Sequence, residues 1–368
     1  MSHGKLPKKK WGNFAKNEIA LLGDSCENME RLALSLMQKL QEHSLLYIDG
    51  DHSEDAGFEP QTIVIGEKSS TIKTNVAISA SRLNALYPSL ELAIINGHHF
   101  SGADQILLYN PSKKGSMLRR KEELSNVVAI YADLSEEDAH NYFDEVFSRK
   151  DVMILRSEEE LQSFILKKYL QPPLLRALIL AGGRSERMGM DKAMISYHGV
   201  PQFEYLMTQF RSLGLEVSIS CRQDQVSIFQ EKNVDLVVDR FSEIGAVSGI
   251  ASALMLNDNS AFFVVACDMP AVNAEVISEL MAQRDFHSLA TGFFNEEKKW
   301  IEPLCAIWEP SSLSVILQEL SLNKTCPRKM LMSHNVKMIT PSSPRFVANA
   351  NHPAEMEEWM KQFNQSSK

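Results

Sequence analysis

Two series of short apolar runs, each alternating with stretches of helical periodicity, limit what this sequence can fold into. The first series contains runs such as Ile19–Leu22 and Leu92–Ile95, and the second begins with Leu178–Ala181. Since strands that alternate with helices form βαβ units, each series predicts a mostly parallel sheet covered by helices. The segment Gln171-Pro172-Pro173 separates the two series, because adjacent prolines disfavour continuation of a helix.

The chain length agrees with a division into two parts. At about 100–200 residues per domain, 368 residues predict two α/β domains, which we place at residues 1–170 and 174–368. Further strands are predicted at Leu45–Ile48, Thr62–Ile65, Ile106–Tyr109, Val127–Tyr131, Val152–Leu155, Val217–Ser220, Leu236–Val238 and Phe262–Ala266. Helices are predicted at Arg31–Leu40, Ser135–Phe147, Ser157–Leu170, Gln202–Leu213, Val247–Leu256 and Ala274–Arg284.

Charge and cysteine usage exclude several classes of protein. The net charge of -9 argues against a general nucleic-acid binder. The five cysteines lie far apart and form no CxxC pair, which favours a reducing compartment and weighs against structural zinc. No apolar stretch approaches the roughly 20 residues that a membrane span needs. We therefore expect a soluble, cytoplasmic protein that binds neither nucleic acid nor membrane.

A candidate phosphate-binding loop follows the first strand of the second series. The strand runs into Gly182 and Gly183, and the cations Arg187 and Lys192 come soon after. Glycines let backbone N–H groups approach phosphate oxygens, and nearby cations neutralise a triphosphate. The spacing fits neither GxGxxG nor GxxxxGK[ST]. An ordinary tight turn with solvated charges therefore stays open as the alternative.

A lone carboxylate follows another apolar strand of the second series. Phe262–Ala266 leads into Cys267-Asp268-Met269-Pro270. In open α/β sheets ligands bind outside the carboxyl ends of the strands, where a carboxylate can bind Mg²⁺ together with phosphate and water. Asp268 is therefore a candidate Mg²⁺ ligand, and a turn or helix-capping aspartate is the alternative.

Together these segments resemble the molybdenum cofactor guanylyltransferases of the MobA type. The family motif L-A-G-G-x-S-x-R-M-G-x-D-K matches Leu180 to Lys192 at every fixed position, and its C-D-x-P matches Cys267 to Pro270. Three further family motifs follow the same order in this chain, at Asp239 with Gly245–Gly249, at Glu302–Ala306, and at Phe346 with Asn349–Pro353. Two positions depart from the family pattern, since Ala246 replaces a proline and His352 a threonine.

The resemblance implies a Rossmann-like, three-layer nucleotidyltransferase domain. It implies transfer of GMP from GTP to Mo-molybdopterin with Mg²⁺, which gives the guanine dinucleotide cofactor and pyrophosphate. The residues that it assigns to the nucleotide are Leu180, Ala181, Gly182, Gly183, Lys192, Asp239, Gly245 and Asp268. It assigns catalytic roles to Arg187, Lys192 and Asp268, with Asp268 also the metal ligand, and it places Asn349 and Asn351 on the pterin side.

Two alternative functions stay open. Cytidylyltransferases for the same pterin more often carry L-A-A-G and lack the aspartate before the lysine, so Gly183 and Asp191 favour guanine. A nucleotidyltransferase for another base or acceptor is the alternative within enzymes. A non-catalytic chaperone that binds the cofactor or a molybdoenzyme apoprotein is the alternative outside them, and such apoproteins are also the partners expected to receive the product.

The first domain resembles a P-loop domain that has lost its phosphate-binding residues. The strand Ile19–Leu22 leads through Gly23 into a helix, as in a P-loop. However, Asn28, Met29 and Glu30 stand where that motif has its second glycine, its lysine and its Ser or Thr. An acidic side chain there repels a triphosphate at the helix N-terminus.

A second segment of this domain resembles the MobB-type GTP-binding adaptors. Leu92–Gly97 and Gln105–Tyr109 are similar to the strand–E-G-F-K–strand segment of that family, with Asn96 in place of its acidic residue. The resemblance implies a degenerate, P-loop-like accessory domain, and an unrelated α/β domain is the alternative.

Two polar features of the first domain carry weaker expectations. Adjacent side chains usually point apart, so we predict that His98 and His99 lie on a surface turn rather than at a metal. The basic run comprises Lys113, Lys114, Arg119, Arg120 and Lys121. We expect it to be a solvated face, and attraction of a phosphorylated pterin or an acidic partner is the alternative.

Overall fold

The structure is a computed structural model that describes residues 14–15, 17–50, 62–65, 70–73, 90–144, 152–183, 192–256, 259–350 and 352–366. The chain divides into two units, residues 1–171 and residues 172–368. This division falls within the proline-containing segment that separates the two sequence series. Each unit is a sheet packed by helices, so the expected α/β class is confirmed. The identification of the first unit as a P-loop-like domain stays a prediction.

The N-terminal unit contains eight strands and four α-helices within its described residues. The strands are β1 (Asn17–Leu22), β2 (Leu45–Ile48), β3 (Thr62–Ile65), β4 (Ser70–Lys73), β5 (Leu92–Asn96), β6 (Asp104–Leu108), β7 (Val127–Tyr131) and β8 (Met153–Leu155). The helices are α1 (Cys26–Lys39), α2 (Lys114–Arg119), α3 (Glu136–Phe143) and α4 (Glu158–Tyr169), with 3₁₀ turns at Pro111–Lys113 and Lys121–Glu123.

Six of these strands form one parallel sheet in the order β2-β5-β1-β6-β7-β8, and β3 pairs with β4 as an antiparallel hairpin. Helices α1, α3 and α4 each begin after a serine whose side chain accepts a backbone N–H from the first turn. These serines, Ser25, Ser135 and Ser157, satisfy donors that the helix itself leaves unpaired. The sheet buries Ile19 and Leu21 on one face and Leu22 on the other.

The C-terminal unit contains seven strands and seven α-helices within its described residues. The strands are β9 (Leu174–Leu180), β10 (Val217–Cys221), β11 (Asp235–Val238), β12 (Ser260–Ala266), β13 (Ala290–Asn295), β14 (Trp300–Trp308) and β15 (Lys337–Ile339). The helices are α5 (Gln202–Ser212), α6 (Val226–Phe229), α7 (Ala246–Leu256), α8 (Ala274–Ala282), α9 (Ser312–Ser321), α10 (Pro327–Met332) and α11 (Pro353–Ser366). The 3₁₀ turns are Lys192–Met194, Gln223–Gln225, Gln230–Lys232 and Pro344–Val347.

The C-terminal sheet has the order β11-β10-β9-β12-β14-β13-β15. Strands β9 to β12 are parallel, whereas β14 runs antiparallel to β12 and β13. Alternate residues of the central strands enter different cores. Ile179 and Phe263 pack on one face, with helices α5 and α8, while Leu178 and Phe262 pack on the other, with α7 and α9. The expected three-layer arrangement is therefore confirmed.

Several element boundaries differ from the sequence prediction. Helix α1 begins at Cys26 rather than at Arg31, because the Ser25 cap precedes the apolar periodicity by several residues. Strand β9 begins at Leu174 rather than Leu178, since its exposed first residues still pair with β12. The helix predicted to reach Phe147 ends at Phe143, although residues 145–147 lie outside the described part.

The described residues contain neither a membrane-spanning helix nor a disulfide. No helix among them is long and apolar enough to cross a bilayer. The five cysteines all fall within the described part of the chain, and no disulfide joins any of them.

Candidate nucleotide site

A crevice opens at the carboxyl edge of the C-terminal sheet, where the order of the strands reverses. From β9 the chain moves outward through β10 to β11, and then returns to place β12 on the opposite side of β9. Such a reversal leaves the loops after the two central strands diverging, which makes room for a ligand. The loop after β9 carries Gly182 and Gly183, and the loop after β12 carries Asp268.

This crevice contains a cavity of about 790 Å³. It is lined by every residue that the sequence assigned to the nucleotide, namely Leu180, Ala181, Gly182, Gly183, Lys192, Asp239, Gly245 and Asp268. The predicted residues Arg187 and Asn351 lie outside the described part of the chain, so their positions stay predictions.

The Asp268 side chain, predicted as the metal ligand, is paired with a cation. Lys192 Nζ lies 2.8 Å from Asp268 Oδ2, and the two side chains are 24% and 15% exposed. The other oxygen, Asp268 Oδ1, is buried and has no hydrogen-bond partner among the described residues. A buried carboxylate oxygen is costly without a partner, so this atom fits a cation ligand.

Asp239, which follows β11, lies beside the glycine loop. Its Oδ1 accepts a hydrogen bond of 2.9 Å from Ser220 Oγ at the end of β10. Burial raises the pKa of the Asp239 carboxyl, and the hydrogen bond from Ser220 opposes that shift. A Cβ atom at Gly182 would lie 3.0 Å from Asp239 Oδ2, so a larger residue here would require the Asp239 carboxylate to shift.

Arg222, which the sequence analysis missed, holds the glycine loop in place. Its Nη1 donates a 2.6 Å hydrogen bond to the carbonyl of Gly182, while Nε and Nη2 donate to the Asp224 carboxylate at 3.0 and 3.1 Å. Gln225 Nε2 donates to the carbonyl of Ala181 at 3.1 Å. The signal was present in the sequence, because Arg222 directly follows strand β10 at the ligand-binding edge of a parallel sheet.

Helix α7 reaches the crevice with its N-terminus. Gly245, immediately before the helix, adopts a φ of +66°. Within the helix, a Cβ atom at Gly249 would lie 2.1 Å from Ser220 Oγ and 2.9 Å from Leu180 Cδ2. This glycine therefore lets α7 pack directly on β9 and β10. The helix N-terminus beside the cavity adds backbone N–H groups that favour an anion.

Glu302, on β14, is a second buried carboxylate on the Asp268 side. It is 9% exposed, and its Oε1 accepts the backbone N–H of Leu304 at 3.1 Å. Burial, opposed by this hydrogen bond and reinforced by the charge of Asp268, raises the pKa of Glu302 to about 7. Glu302 belongs to the Glu302–Ala306 motif, but the sequence alone did not assign it a role.

The segment around Asn349 approaches Asp268 through the main chain. The N–H of Ala350 donates a 2.7 Å hydrogen bond to the carbonyl oxygen of Asp268. Asn349 Oδ1 is buried without a hydrogen-bond partner among the described residues, and so is the hydroxyl of Tyr197. Burial and then the Asp268 charge raise the pKa of Tyr197 to about 12. Polar groups therefore remain available on this flank of the crevice.

In the N-terminal unit, the paired histidines lie close to a cysteine. His98 and His99 lie on a turn after β5, as the sequence predicts. The Cys26 Sγ atom lies 3.8 Å from His98 Nδ1 and 3.6 Å from His99 Nε2. Burial, followed by the charge of Arg120, lowers the pKa of His98. Each ring approaches the thiol, because Cys26 begins helix α1 beside the turn.

The basic run contacts its own unit. Arg120 Nη1 donates to the carbonyl of His98 at 3.2 Å, and Lys114 Nζ lies 5.3 Å from the centre of the Tyr142 ring. At the predicted P-loop position, one backbone donor of the helix N-terminus is already used within the chain. The Asn28 N–H donates to Ser25 Oγ, and the Asn28 amide donates to Asp24.

Comparisons with known proteins assign the C-terminal unit to a family. Residues 177–338 match a family model described as a MobA-like NTP transferase domain. The chain is 30% identical over 164 residues to a probable molybdenum cofactor guanylyltransferase of Clostridium perfringens, covering 44% of this chain and 80% of that protein. It is 31% identical over 185 residues to a molybdenum cofactor biosynthesis bifunctional protein of Synechocystis, covering 50% of this chain.

The chain spans about half, 53%, of the length of that Synechocystis protein. Among solved structures, the molybdopterin-guanine dinucleotide biosynthesis protein A of Archaeoglobus fulgidus is similar with a TM-score of 0.45 and 19% identity. The match covers 52% of this chain and 99% of the Archaeoglobus chain.

Proposed function

The chain belongs to the family of molybdenum cofactor guanylyltransferases, and on that premise we propose that it transfers GMP from GTP to Mo-molybdopterin and releases pyrophosphate. One observation carries the proposal: the glycine loop at Gly182 and the carboxylate of Asp268 line one cavity at the strand-order reversal of the sheet. A nucleoside triphosphate needs both, since its phosphates take backbone N–H groups and its charge needs a cation.

The nucleotide is proposed to lie across the carboxyl ends of β9, β10 and β11. The backbone N–H groups of Gly182 and Gly183 would bind the phosphates. Arg222 would hold this loop in place through its hydrogen bond to the carbonyl of Gly182. Asp239 and Gly245 line the same cavity, and the nucleoside is proposed to lie beside them. Arg187 is expected to contact the phosphates as well, and this expectation rests on the sequence motif alone.

Mg²⁺ is the cation that the donor set fits best. Asp268 would hold it through Oδ1, the buried oxygen that has no hydrogen-bond partner among the described residues. Mg²⁺ characteristically takes one or two carboxylates and completes its shell with phosphate oxygens and water. When bound, it would supply neutralisation of the charge on the transferring phosphate.

The reaction requires the protein to position the two substrates and to neutralise the charge on their phosphates, and it requires no nucleophile from the protein. The terminal phosphate oxygen of molybdopterin attacks the α-phosphorus of GTP, and the bond from that phosphorus to the β-phosphate oxygen breaks. Lys192, whose Nζ lies 2.8 Å from Asp268 Oδ2, stands beside the point where this negative charge develops. A preorganised ammonium there stabilises the transition state without having to reorganise during the reaction.

The acceptor is proposed to approach from the Asp268 flank, opposite the nucleoside. Asn349 brings a buried amide oxygen without a hydrogen-bond partner among the described residues, and the adjacent Ala350 N–H is tied to the Asp268 carbonyl. An amide can both donate to and accept from a pterin edge. Asn351 is expected to contact the pterin together with Asn349. Molybdoenzyme apoproteins stay predicted partners, and the reducing cytoplasm stays the predicted compartment.

A turnover assay with Mo-molybdopterin, Mg²⁺ and one nucleotide at a time tests this function. We expect pyrophosphate and the guanine dinucleotide product with GTP, and far slower turnover with CTP or ATP. Faster turnover with CTP would assign the cytidylyl reaction instead. Cofactor binding without release of pyrophosphate from any of the three nucleotides would favour the chaperone alternative.

A further inference from the structure

The loop that carries Asp268 is held along its main chain by donors from other segments of the C-terminal unit. Three consecutive carbonyls each accept one such hydrogen bond, from Ala350 N to Asp268 O at 2.7 Å, from Gln202 Nε2 to Met269 O at 3.3 Å, and from His198 Nε2 to Pro270 O at 3.0 Å. We propose that His198 and Gln202 are positioning residues that hold Asp268 in the orientation that binds the metal ion. This inference rests on the Mg²⁺ site of the proposed function.

Both donors belong to the segment that also carries Lys192. Lys192 Nζ contacts Asp268 Oδ2 at 2.8 Å, so one segment, residues 192–202, binds both the carboxylate and the main chain of its loop. Within this segment, Gln202 N donates to the carbonyl of Ile195 at 2.8 Å, just before helix α5. Because these contacts fix the loop and one carboxylate oxygen, Asp268 Oδ1, which has no hydrogen-bond partner among the described residues, is kept for a cation.

The His198 ring is packed against aromatic side chains of two helices. It stacks on Tyr205 of α5, with ring centres 3.7 Å apart and planes 12° apart, and the centre of the Phe363 ring of α11 lies 4.2 Å away. Since a carbonyl oxygen only accepts, the Nε2 atom that faces Pro270 carries the ring proton. The two ring contacts restrict rotation of the imidazole, which keeps its donor directed at the loop.

Gln202 is fully buried at the start of α5, a position that an apolar side chain could fill. Burying an amide is unfavourable unless hydrogen bonds replace its contacts with water. Gln202 Oε1 is buried and has no hydrogen-bond partner among the described residues, so the bond to Met269 offsets only part of this cost. The glutamine therefore contributes more to the position of the loop than to the stability of the fold, and the two contributions can be measured separately.

Calorimetric titration of the full chain with GTP, once with excess Mg²⁺ and once with EDTA, tests the inference. No acceptor is present, so the ratio of the two dissociation constants measures how much the metal ion strengthens GTP binding, which we call the metal enhancement. We expect Asp268→Asn to abolish it. His198→Phe keeps an aromatic ring without the donor, and Gln202→Met keeps a side chain of similar length without the donor. Each should lower the metal enhancement about tenfold, with a much smaller change in EDTA.

Two further variants separate the donated hydrogen bond from packing. His198→Gln can place an amide N–H close to the position of Nε2, so it should recover part of the enhancement that His198→Phe loses. The matched control is His334→Phe, because His334 Nδ1 also lies 2.8 Å from a main-chain carbonyl, that of Met330, but before the edge strand β15. This control should keep the full enhancement.

Urea unfolding shows whether the role is positional or structural. Gln202→Met removes a buried oxygen that has no hydrogen-bond partner among the described residues, and the Met269 carbonyl keeps the Val272 N–H at 3.3 Å. The urea midpoint should therefore not fall although the metal enhancement does.

An unchanged enhancement in folded His198→Phe or Gln202→Met would overturn the inference, and so would equal losses in His198→Phe and His198→Gln. Circular dichroism establishes which variants are folded. If His198→Phe does not fold, Gln202→Met decides. When Asp268→Asn alone loses the enhancement, only the inference fails. An enhancement that survives Asp268→Asn would reject the proposed metal site, and the inference with it.

Discussion

Lys192 Nζ and Asp268 Oδ2 lie 2.8 Å apart although 76 residues separate them in the chain. Lys192 begins a short 3₁₀ turn just beyond the glycine loop, and Asp268 ends the loop that follows β12. The pair therefore links the two segments whose motifs carry the family resemblance. Both side chains are less than one quarter exposed, so water screens their attraction only in part. Each charge holds the other at the point where we propose that the triphosphate reacts.

Asp268→Asn is expected to lower turnover at least about 100-fold while leaving the fold intact. The amide keeps the size of the side chain but loses the charge that would hold Mg²⁺ and orient Lys192. Pyrophosphate release at limiting and saturating Mg²⁺ measures the effect. Asp235→Asn is the matched control, because this exposed aspartate starts β11 at the opposite edge of the sheet. Normal turnover of the Asp268 variant at limiting Mg²⁺ would contradict the metal assignment.

Lys192→Ala is expected to lower kcat by about 10²–10³-fold with a smaller change in the KM for GTP. We propose that the ammonium lies where negative charge grows as pyrophosphate departs, so we expect its contribution to belong mainly to the transition state. Steady-state kinetics with varied GTP measures both parameters. Lys232→Ala, which removes an exposed lysine paired with Glu204, is the control. A change confined to KM would make Lys192 a ground-state binder instead.

Much of the fold was predictable because buried parallel strands have a simple signature. The runs at Ile19–Leu22 and Phe262–Ala266 are short, apolar and followed by turns, and both form central strands. The direction of β14 could not be predicted, because a strand buried on both faces reads alike whether it runs parallel or antiparallel. Helix starts were placed late where a capping serine such as Ser25 precedes the apolar periodicity.

Residues of the candidate site that belong to a sequence motif could be predicted. Residues whose role depends on contacts between distant parts of the chain could not be predicted as well. The cavity brings together Gly182, Asp239 and Asp268, all of which were named from the sequence. Arg222 was missed, because its role depends on a hydrogen bond to the carbonyl of a loop 40 residues away. The approach of Cys26 to the predicted histidine turn was missed for the same reason, since it arises only in the folded sheet.

Gly249→Ala is expected to destabilise the C-terminal unit by about 1–3 kcal/mol despite the better helix propensity of alanine. The new methyl would lie 2.1 Å from Ser220 Oγ, and turning that hydroxyl away would break its hydrogen bond to Asp239. Urea unfolding followed by tryptophan fluorescence measures the change, because Trp300, Trp308 and Trp359 all belong to this unit. Adding Ser220→Ala removes the closest overlap, so the double variant should regain part of the loss. Equal stability of Gly249→Ala and the unaltered chain would show that α7 can move away from the sheet.

Glu302→Gln is expected to stabilise the protein at pH 8 and to have little effect at pH 5. Because burial raises the pKa of Glu302 from 4.5 to about 7, the unfolded chain releases this proton first as pH rises. The folded state therefore loses stability between about pH 4.5 and 7, by at most roughly 3 kcal/mol, and the full loss persists above pH 7. Urea midpoints in EDTA measure the difference, with exposed Glu296→Gln as the control. A difference that does not change with pH would place the Glu302 pKa near its ordinary value.

Calorimetry of the full chain with GTP and Mg²⁺ is expected to find one GTP site per chain, located in the C-terminal unit. In the N-terminal unit, Asn28, Met29 and Glu30 stand where a P-loop would have its phosphate-binding residues, and Ser25 Oγ already accepts the Asn28 N–H. Gly182→Val should therefore remove GTP binding altogether, because a side chain at this position enters the phosphate loop against Asp239. Circular dichroism establishes that the variant is folded. Micromolar GTP binding that persists in folded Gly182→Val would mean that the first unit retains an altered but working nucleotide site. Its interpretation as a degenerate accessory domain would then be wrong.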